Sequence, residues 1–475
     1  MIWDYFYVSF CRIFSKSVFF FFDFCYHSGF AWILHRITPT HCAALQRLFE
    51  CMLAGATPLN RLGYESPMSS KTQIGFSHFP FSSTLGAVAK PDALLNCLVF
   101  IPALIVPFSP SIAFLIGLLL LVVFGGGFQR WHRIFVSVVV IFAGAVLFGW
   151  DVSPTYDYAD YYKIYKELLV GDTKAFFEYG KGVEVALPTV FWVFGKVFGP
   201  LNFSHFVVLV IFTASILLYI WLEIYGLKQI AQRQKAICVA LVLMCFDFLF
   251  AGVGERQIFS SIMILYAITA QRQESRFFFI LLAILFHTTA LIFLAIVWLL
   301  VRYPKLGIGL CIVICGSYVA FYEIVGVLYH QSRGVLLFDI VRGKLDWYMY
   351  GYGRNDGGNI GFRNLALSIL LLICTWAYVD KSQAKWRYII MGLGIIYLAS
   401  AFVSGHLSLR VGVFFYSCAF GYFVFLALRK QPILLYGFAL LYLVDLAENF
   451  SKDVKSYKMM SYNYDIIGPF FYYLY

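Results

Sequence analysis

Residues 277–300 read FFFILLAILFHTTALIFLAIVWLL, an apolar run interrupted only by His287, Thr288 and Thr289. A helix needs roughly 20 apolar residues to cross the hydrocarbon core of a bilayer, and this run is long enough to enter one. Arg272 and Arg276 stand before it, and Arg302 and Lys305 after it. Lys and Arg gather in loops on the cytoplasmic side. A single crossing would strand one of these basic pairs on the far side. A broken or re-entrant hairpin keeps both on the same side, and broken helices at membrane depth occur where they line a cavity. The run therefore predicts a helical membrane protein that carries a cavity near His287.

The rest of the chain extends that reading. Of its 475 residues, 61% are hydrophobic and only 13% charged, with a mean hydropathy of +0.79. The apolar runs do not alternate with period two, which excludes a transmembrane β-barrel. Candidate spans are 94–107, 111–127, 133–150, 204–224, 235–253, 257–271, 277–300, 306–322, 362–379, 388–404, 409–428 and 432–447. The fold class is an all-α polytopic integral membrane protein with about 11–13 transmembrane helices. The net charge of +11 resides mostly in short loops, including Arg130 and Arg133, Lys228 and Arg233, Lys381 and Lys385, and Arg429 and Lys430. That distribution marks cytoplasmic loops and argues against nucleic acid as a partner. Two long loops, 151–203 and 323–361, then face outward, together with the short turns near 254–256 and 405–409.

Residues 1–92 read as an N-terminal extension of different character, carrying four of the eleven cysteines by residue 51 and a polar, aperiodic stretch over 38–90. The expected biological start is Met52 or Met68, with the earlier part an over-extended reading frame. Residues 93–447 form the multi-pass membrane domain and 448–475 a C-terminal tail. No CxxC pair, metal-ligand spacing or disulfide framework is present.

Chemistry is concentrated on the outward side. The stretch Tyr156-Asp157-Tyr158-Ala159-Asp160-Tyr161-Tyr162-Lys163-Ile164-Tyr165 is acidic and aromatic in an otherwise apolar chain. Carboxylates grip sugar hydroxyls and aromatic rings stack on sugar faces, so Asp157, Tyr161 and Tyr165 are candidate sugar contacts and Asp160 a candidate base. Glu184, the second candidate base after Asp160, abuts the apolar segment 185–199, a candidate interfacial or re-entrant helix. Arg256 and Arg410 each open an apolar span, where a planar guanidinium and helix-end N–H groups suit an anion such as pyrophosphate. His287 is the histidine set deep in an apolar run. It is either a rival base or a polar group shaping the cavity, and His406 is an alternative to it. The loop 348–361 carries Tyr350, Tyr352, Arg354, Asn355 and Asp356 among glycines and reads as a lid, with Arg363 at the mouth of the next span. No P-loop, Rossmann glycine pattern, nucleophile elbow or zinc motif appears, and the acids lack the DxD spacing of a metal-dependent nucleotide-sugar site. The expected site uses no metal and no cofactor.

These features, in their order, resemble the EpsG family and, more broadly, the Wzy-type O-antigen polymerases of bacteria. The resemblance rests on Asp160-Tyr161 with Tyr165, on Glu184 ahead of Pro188, on Arg256-Gln257 opening an Ala/Ser-rich span, on Phe286-His287-Thr288, and on Arg410 with Tyr416. It covers about residues 95–447. It implies a GT-C-like enzyme of the bacterial inner membrane that joins oligosaccharide repeat units carried on undecaprenyl pyrophosphate. Both donor and acceptor would be lipid-linked, the active site would face the periplasm, and a chain-length regulator would be a partner. Two other classes stay open: a flippase or transporter of lipid-linked oligosaccharide, and a membrane O-acyltransferase of surface glycans with His287 catalytic.

Overall fold

The computed structural model describes residues 91–150, 157–178, 182–313, 362–379, 383–403 and 410–451. Every regular element among them is helical. The longer helices are α1 (Pro91–Leu98), α2 (Pro110–Val123), α3 (Arg130–Gly149), α4 (Asp157–Leu169), α5 (Ala186–Phe198), α6 (Phe203–Trp221), α7 (Gln232–Cys245), α8 (Glu255–Thr269), α9 (Gln273–Phe286), α10 (Ala290–Arg302), α11 (Pro304–Val313), α12 (Phe362–Tyr378), α13 (Ala384–Val403), α14 (Arg410–Cys418), α15 (Phe420–Leu428) and α16 (Pro432–Ser451). Short helical pieces cover Ile101–Ile105, Ala175–Glu178 and Phe248–Val253. The N-terminal extension, apart from its last residues, and the loop 323–361 lie outside the described residues, as does the tail beyond 451.

By length and apolarity, α3 and α6 (continued through Gly226) suffice to cross a membrane, and α14 with α15 make a third span if the pair is taken as one, bent by 54°. The sequence predicts more full crossings than this. Helices α7, α8, α9 and α10 are 14, 15, 14 and 13 residues long. At 1.5 Å per residue that is roughly 20–23 Å, short of the roughly 30 Å hydrocarbon core. Each stops where a polar or conformational break intervenes. Asp247 caps the helix that follows α7, its carboxylate accepting from Phe250 N–H at 2.9 Å. Gly254 opens α8, and its site has no room for a Cβ beneath the Phe250 ring. His287 leaves helical geometry with φ −158° and ψ 125°. The helix break at 287–289 thus falls where the sequence places it.

Helix α8 is the centre of the bundle. Nearly all of it is buried, and it packs along α9, where Phe259 and Phe286 stack at 5.1 Å and Ser260 Oγ donates to Ala283 O at 3.0 Å. It also meets α6, through Tyr266 OH donating to Leu217 O at 2.9 Å. Close approach of α15 to α7 depends on Gly421, where an added Cβ would lie 2.2 Å from Leu241 O.

Candidate active site

The described residues of the loop 151–203 fold largely as helix. Tyr158, Tyr161, Ile164, Tyr165 and Leu168 are buried on α4, a spacing of three and four residues that lays one stripe along a helix. Tyr161 faces Phe191 of α5 at 6.2 Å, and Tyr165 faces Phe206 of α6 at 4.9 Å. The Tyr165 hydroxyl donates to Gly199 O and accepts from Leu201 N–H at 3.0 Å. Gly199 has φ +70°, the left-handed region that favours glycine, and ends α5 ahead of Pro200. Tyr165 therefore pins the α5–α6 turn. Tyr161 and Tyr165, expected as sugar contacts, are packed inside the structure, 1% and 0% exposed.

This packing delivers Glu184, just before α5, into the helix bundle. Its Oε1 accepts from His287 Nδ1 at 2.8 Å, from Thr288 N–H at 3.0 Å and from Thr288 Oγ1 at 3.0 Å. Its Oε2 pairs with Arg256 Nη1. The break in α9 is what frees Thr288 N–H to point at the carboxylate. Burial opposes the charge on Glu184, but His287, Arg256 and Thr288 outweigh it and hold the carboxyl well below the usual carboxylate range. With Nδ1 donating to a carboxylate, the lone pair of His287 is on Nε2, which is buried and has no hydrogen-bond partner among the described residues.

Arg256 also approaches Tyr161 OH, with Nε at 3.4 Å. Its neighbour Gln257 ties α8 to α14 in both directions. Gln257 Nε2 donates to Arg410 O at 2.5 Å, and Arg410 Nη1 donates to Gln257 Oε1 at 3.0 Å. The two arginines expected at one site are thus joined through Gln257. On their other flank, Glu255 is fully buried and neither of its carboxylate oxygens has a partner among the described residues.

The other expected residues divide. Asp157, first in α4, reaches solvent, yet partial burial pushes its carboxyl up, with Arg256 and Arg410 offsetting part of the effect and Asp160 adding to it. It lies within electrostatic reach of both arginines. Asp160 is exposed, and no hydrogen bond or ion pair among the described residues joins it to Glu184, His287 or Arg256. Arg363 lies apart, 2.6 Å from Asp445 and over the Tyr442 ring at 5.2 Å. Arg354 and His406 lie outside the described residues. Sequence reasoning passed over Gln257 and Thr288 as working parts, although each stands next to a residue it selected. It also left Glu255 without a role.

The opposite end of α8 has a different character. Arg276 Nη2 donates to Ala270 O at 3.1 Å and Lys385 Nζ to Ile268 O at 2.5 Å, cations placed on the C-terminal carbonyls of the helix. Beyond them, Arg133 forms a two-pronged ion pair with Glu223, at 2.8 and 2.9 Å, and Tyr219 OH donates to the same carboxylate at 2.9 Å. Arg133, expected as a loop charge, is a buried partner in a helix–helix contact. Among the described residues no group of His, Cys, Asp and Glu is arranged to hold a metal ion.

A carboxylate fixing an imidazole whose second nitrogen is unengaged, with two arginines alongside, can accept a proton and hold an anion in one place. Built into apolar helices, this is a helical membrane protein with a buried carboxylate–imidazole–guanidinium cluster. The chain matches the EpsG family over residues 133–464 and belongs to it. That family is of polysaccharide polymerase type, which makes this a helical membrane protein of polysaccharide biosynthesis with glycosyltransferase-like polymerase activity. No curated protein and no solved structure matches the chain.

Proposed function

We propose that the protein joins oligosaccharide repeat units, moving a glycan from its polyprenyl pyrophosphate carrier to a hydroxyl of an incoming lipid-linked unit, in a GT-C-like site facing the periplasm of the bacterial inner membrane. The observation that carries this reading is the Glu184–His287 pair, with Nε2 unengaged beside Arg256. In the reaction, His287 Nε2 takes the proton of the acceptor hydroxyl while that oxygen bonds to the anomeric carbon. The bond from that carbon to the phosphate oxygen breaks, and its electron pair leaves on the lipid pyrophosphate, a good leaving group. Arg256 and Arg410 hold the pyrophosphate, Arg by its planar fork. Glu184 orients His287 and stabilises its charged form, as a carboxylate does for the imidazole base of acyl-transferring sites.

The base is thereby His287 in preference to Asp160, which is exposed and outside the hydrogen-bonded group. Asp157 and Asp160 stay candidates for orienting sugar hydroxyls at the mouth, and Arg354 for a lid. Nothing in the chemistry of this donor set calls for a metal. The cations at the far end of α8 suit the cytoplasmic side. A chain-length regulator would act as a partner.

The test is the surface polysaccharide of a deletion strain complemented with variants. Collapse of the polymer ladder to a single repeat unit supports a polymerase. Loss of all surface glycan with repeat units accumulating inside supports a flippase and ends this reading. Within the polymerase outcome, His287→Ala and Arg256→Ala abolish the ladder and Asp160→Asn retains it.

A further inference from the structure

We propose that Glu255 carries a proton and donates it in a hydrogen bond to the phosphate of the lipid pyrophosphate, as a third arm of the site formed with Arg256 and Arg410. This rests on the transferase reading above and deepens it.

Glu255 is the first residue of α8, a 15-residue helix, and sits directly before Arg256. It is 0% exposed, with both carboxylate oxygens unpartnered among the described residues. Sealed, unpaired carboxylates do not stay ionised without a donor, because an unsupported charge in apolar surroundings is strongly disfavoured. The charges around it point the same way. Arg256 is taken up by Glu184, and Asp157 lies within electrostatic reach of both Arg256 and Arg410. Two cations thus face two anions, and a charged Glu255 would be an excess anion beside Asp157. Adding an anionic pyrophosphate would make that worse. A neutral carboxylic acid turns the liability into a donor: its O–H can bond a phosphate oxygen at the N-terminus of α8, where anions are favoured. Enclosed carboxylic acids kept neutral to donate a hydrogen bond are an established device in other active sites. The separation of roles follows. Glu184 is ionised and serves the imidazole; Glu255 is protonated and serves the phosphate.

The experiment uses the full chain purified in detergent, with farnesyl pyrophosphate as probe, its affinity measured by titration from about pH 6 to about pH 9. Titratable or charged groups facing Glu255 are Asp157 of α4 and Arg256 of its own helix, with Glu184, His287 and Arg410 beyond. Wild-type affinity should fall on the order of tenfold more across this range than that of Glu255→Gln, whose amide donates at every pH. Glu255→Ala should bind weakly throughout. Equal slopes in wild type and Glu255→Gln overturn the proposal, as does wild-type affinity in Glu255→Ala. If wild type and Arg256→Ala bind the probe equally poorly at all pH values, the pyrophosphate reading itself fails.

Discussion

Replacing Glu184 by Gln keeps the size of the side chain and removes its charge. The consequence follows from who donates to it. Oε1 takes three hydrogen bonds from His287 and Thr288, and Oε2 faces Arg256. In Gln one oxygen becomes an NH2. If the NH2 faces Arg256, donor meets donor; if it faces His287 and Thr288, three donors lose their acceptor. Hydrogen bonds to charged groups are worth about 1.5–3 kcal/mol, and removing one member of a buried ion pair costs about 3–5 kcal/mol. The Arg256 side chain is 22% exposed, so water recovers part of the loss. We expect about 3 kcal/mol of destabilisation, read as unfolding in mixed detergent micelles. Arg256→Gln alone should cost less, and the double variant should show a coupling of about 1–3 kcal/mol. Strict additivity of the two single changes, or a Glu184→Gln protein as stable as wild type, would refute the geometry on which the proposed base depends.

Other outcomes follow from the same contacts. Because Glu184 binds its proton less readily when folded, its contribution is complete above the ordinary carboxylate value of 4.5 and disappears as pH falls through the lower folded value. The gap in unfolding free energy between wild type and Glu184→Gln should therefore narrow on acidification below about pH 4.5. Arg133→Ala should destabilise by about 3–5 kcal/mol by leaving Glu223 unpaired, whereas exposed Arg130→Ala should change stability by less than about 0.5 kcal/mol, as monitored by the yield of monodisperse protein after heating. Gly421→Ala forces a Cβ into the Leu241 backbone and should cost about 1–3 kcal/mol; Gly437→Ala meets nothing within 4 Å and should be neutral or stabilising in the same assay. Tyr165→Phe loses both bonds at the Gly199 turn and should lower stability by about 1–2 kcal/mol while leaving probe affinity unchanged.

The sequence announced the helical class because its apolar runs are long and unbroken, and it announced the break at His287 because three polar residues stand inside one. Counting basic loops alone also led to the expectation that the loop 151–203, Arg256 and Arg410 share one side, and Glu184 of that loop does meet Arg256 in the structure. The tyrosines of 156–165 were read by composition as sugar contacts, and their spacing of three and four residues also describes the buried helix face that the structure shows. Asp160, chosen from the same cluster, lies on the exposed side of that amphipathic helix. Gln257 could not have been chosen from sequence. Its role depends on Arg410, which only the tertiary fold brings to it. Hydropathy does not register where Asp247, Gly254 and His287 end a helix, so the helix bounds inside the predicted spans were not legible in it.

The two-way bridge between Gln257 and Arg410 joins positions 153 residues apart. At ribosomal speeds of about 5–20 residues per second, roughly 8–30 s pass between the emergence of one partner and that of the other. Throughout that interval the nascent chain already holds Glu184 and Arg256 but lacks the second guanidinium. The cluster is thus a late product of biogenesis, completed when α14 docks. A chain stalled before Arg410 leaves the Gln257 amide without the partner it has in the finished fold, so an unfinished polymerase differs from a finished one at its buried centre.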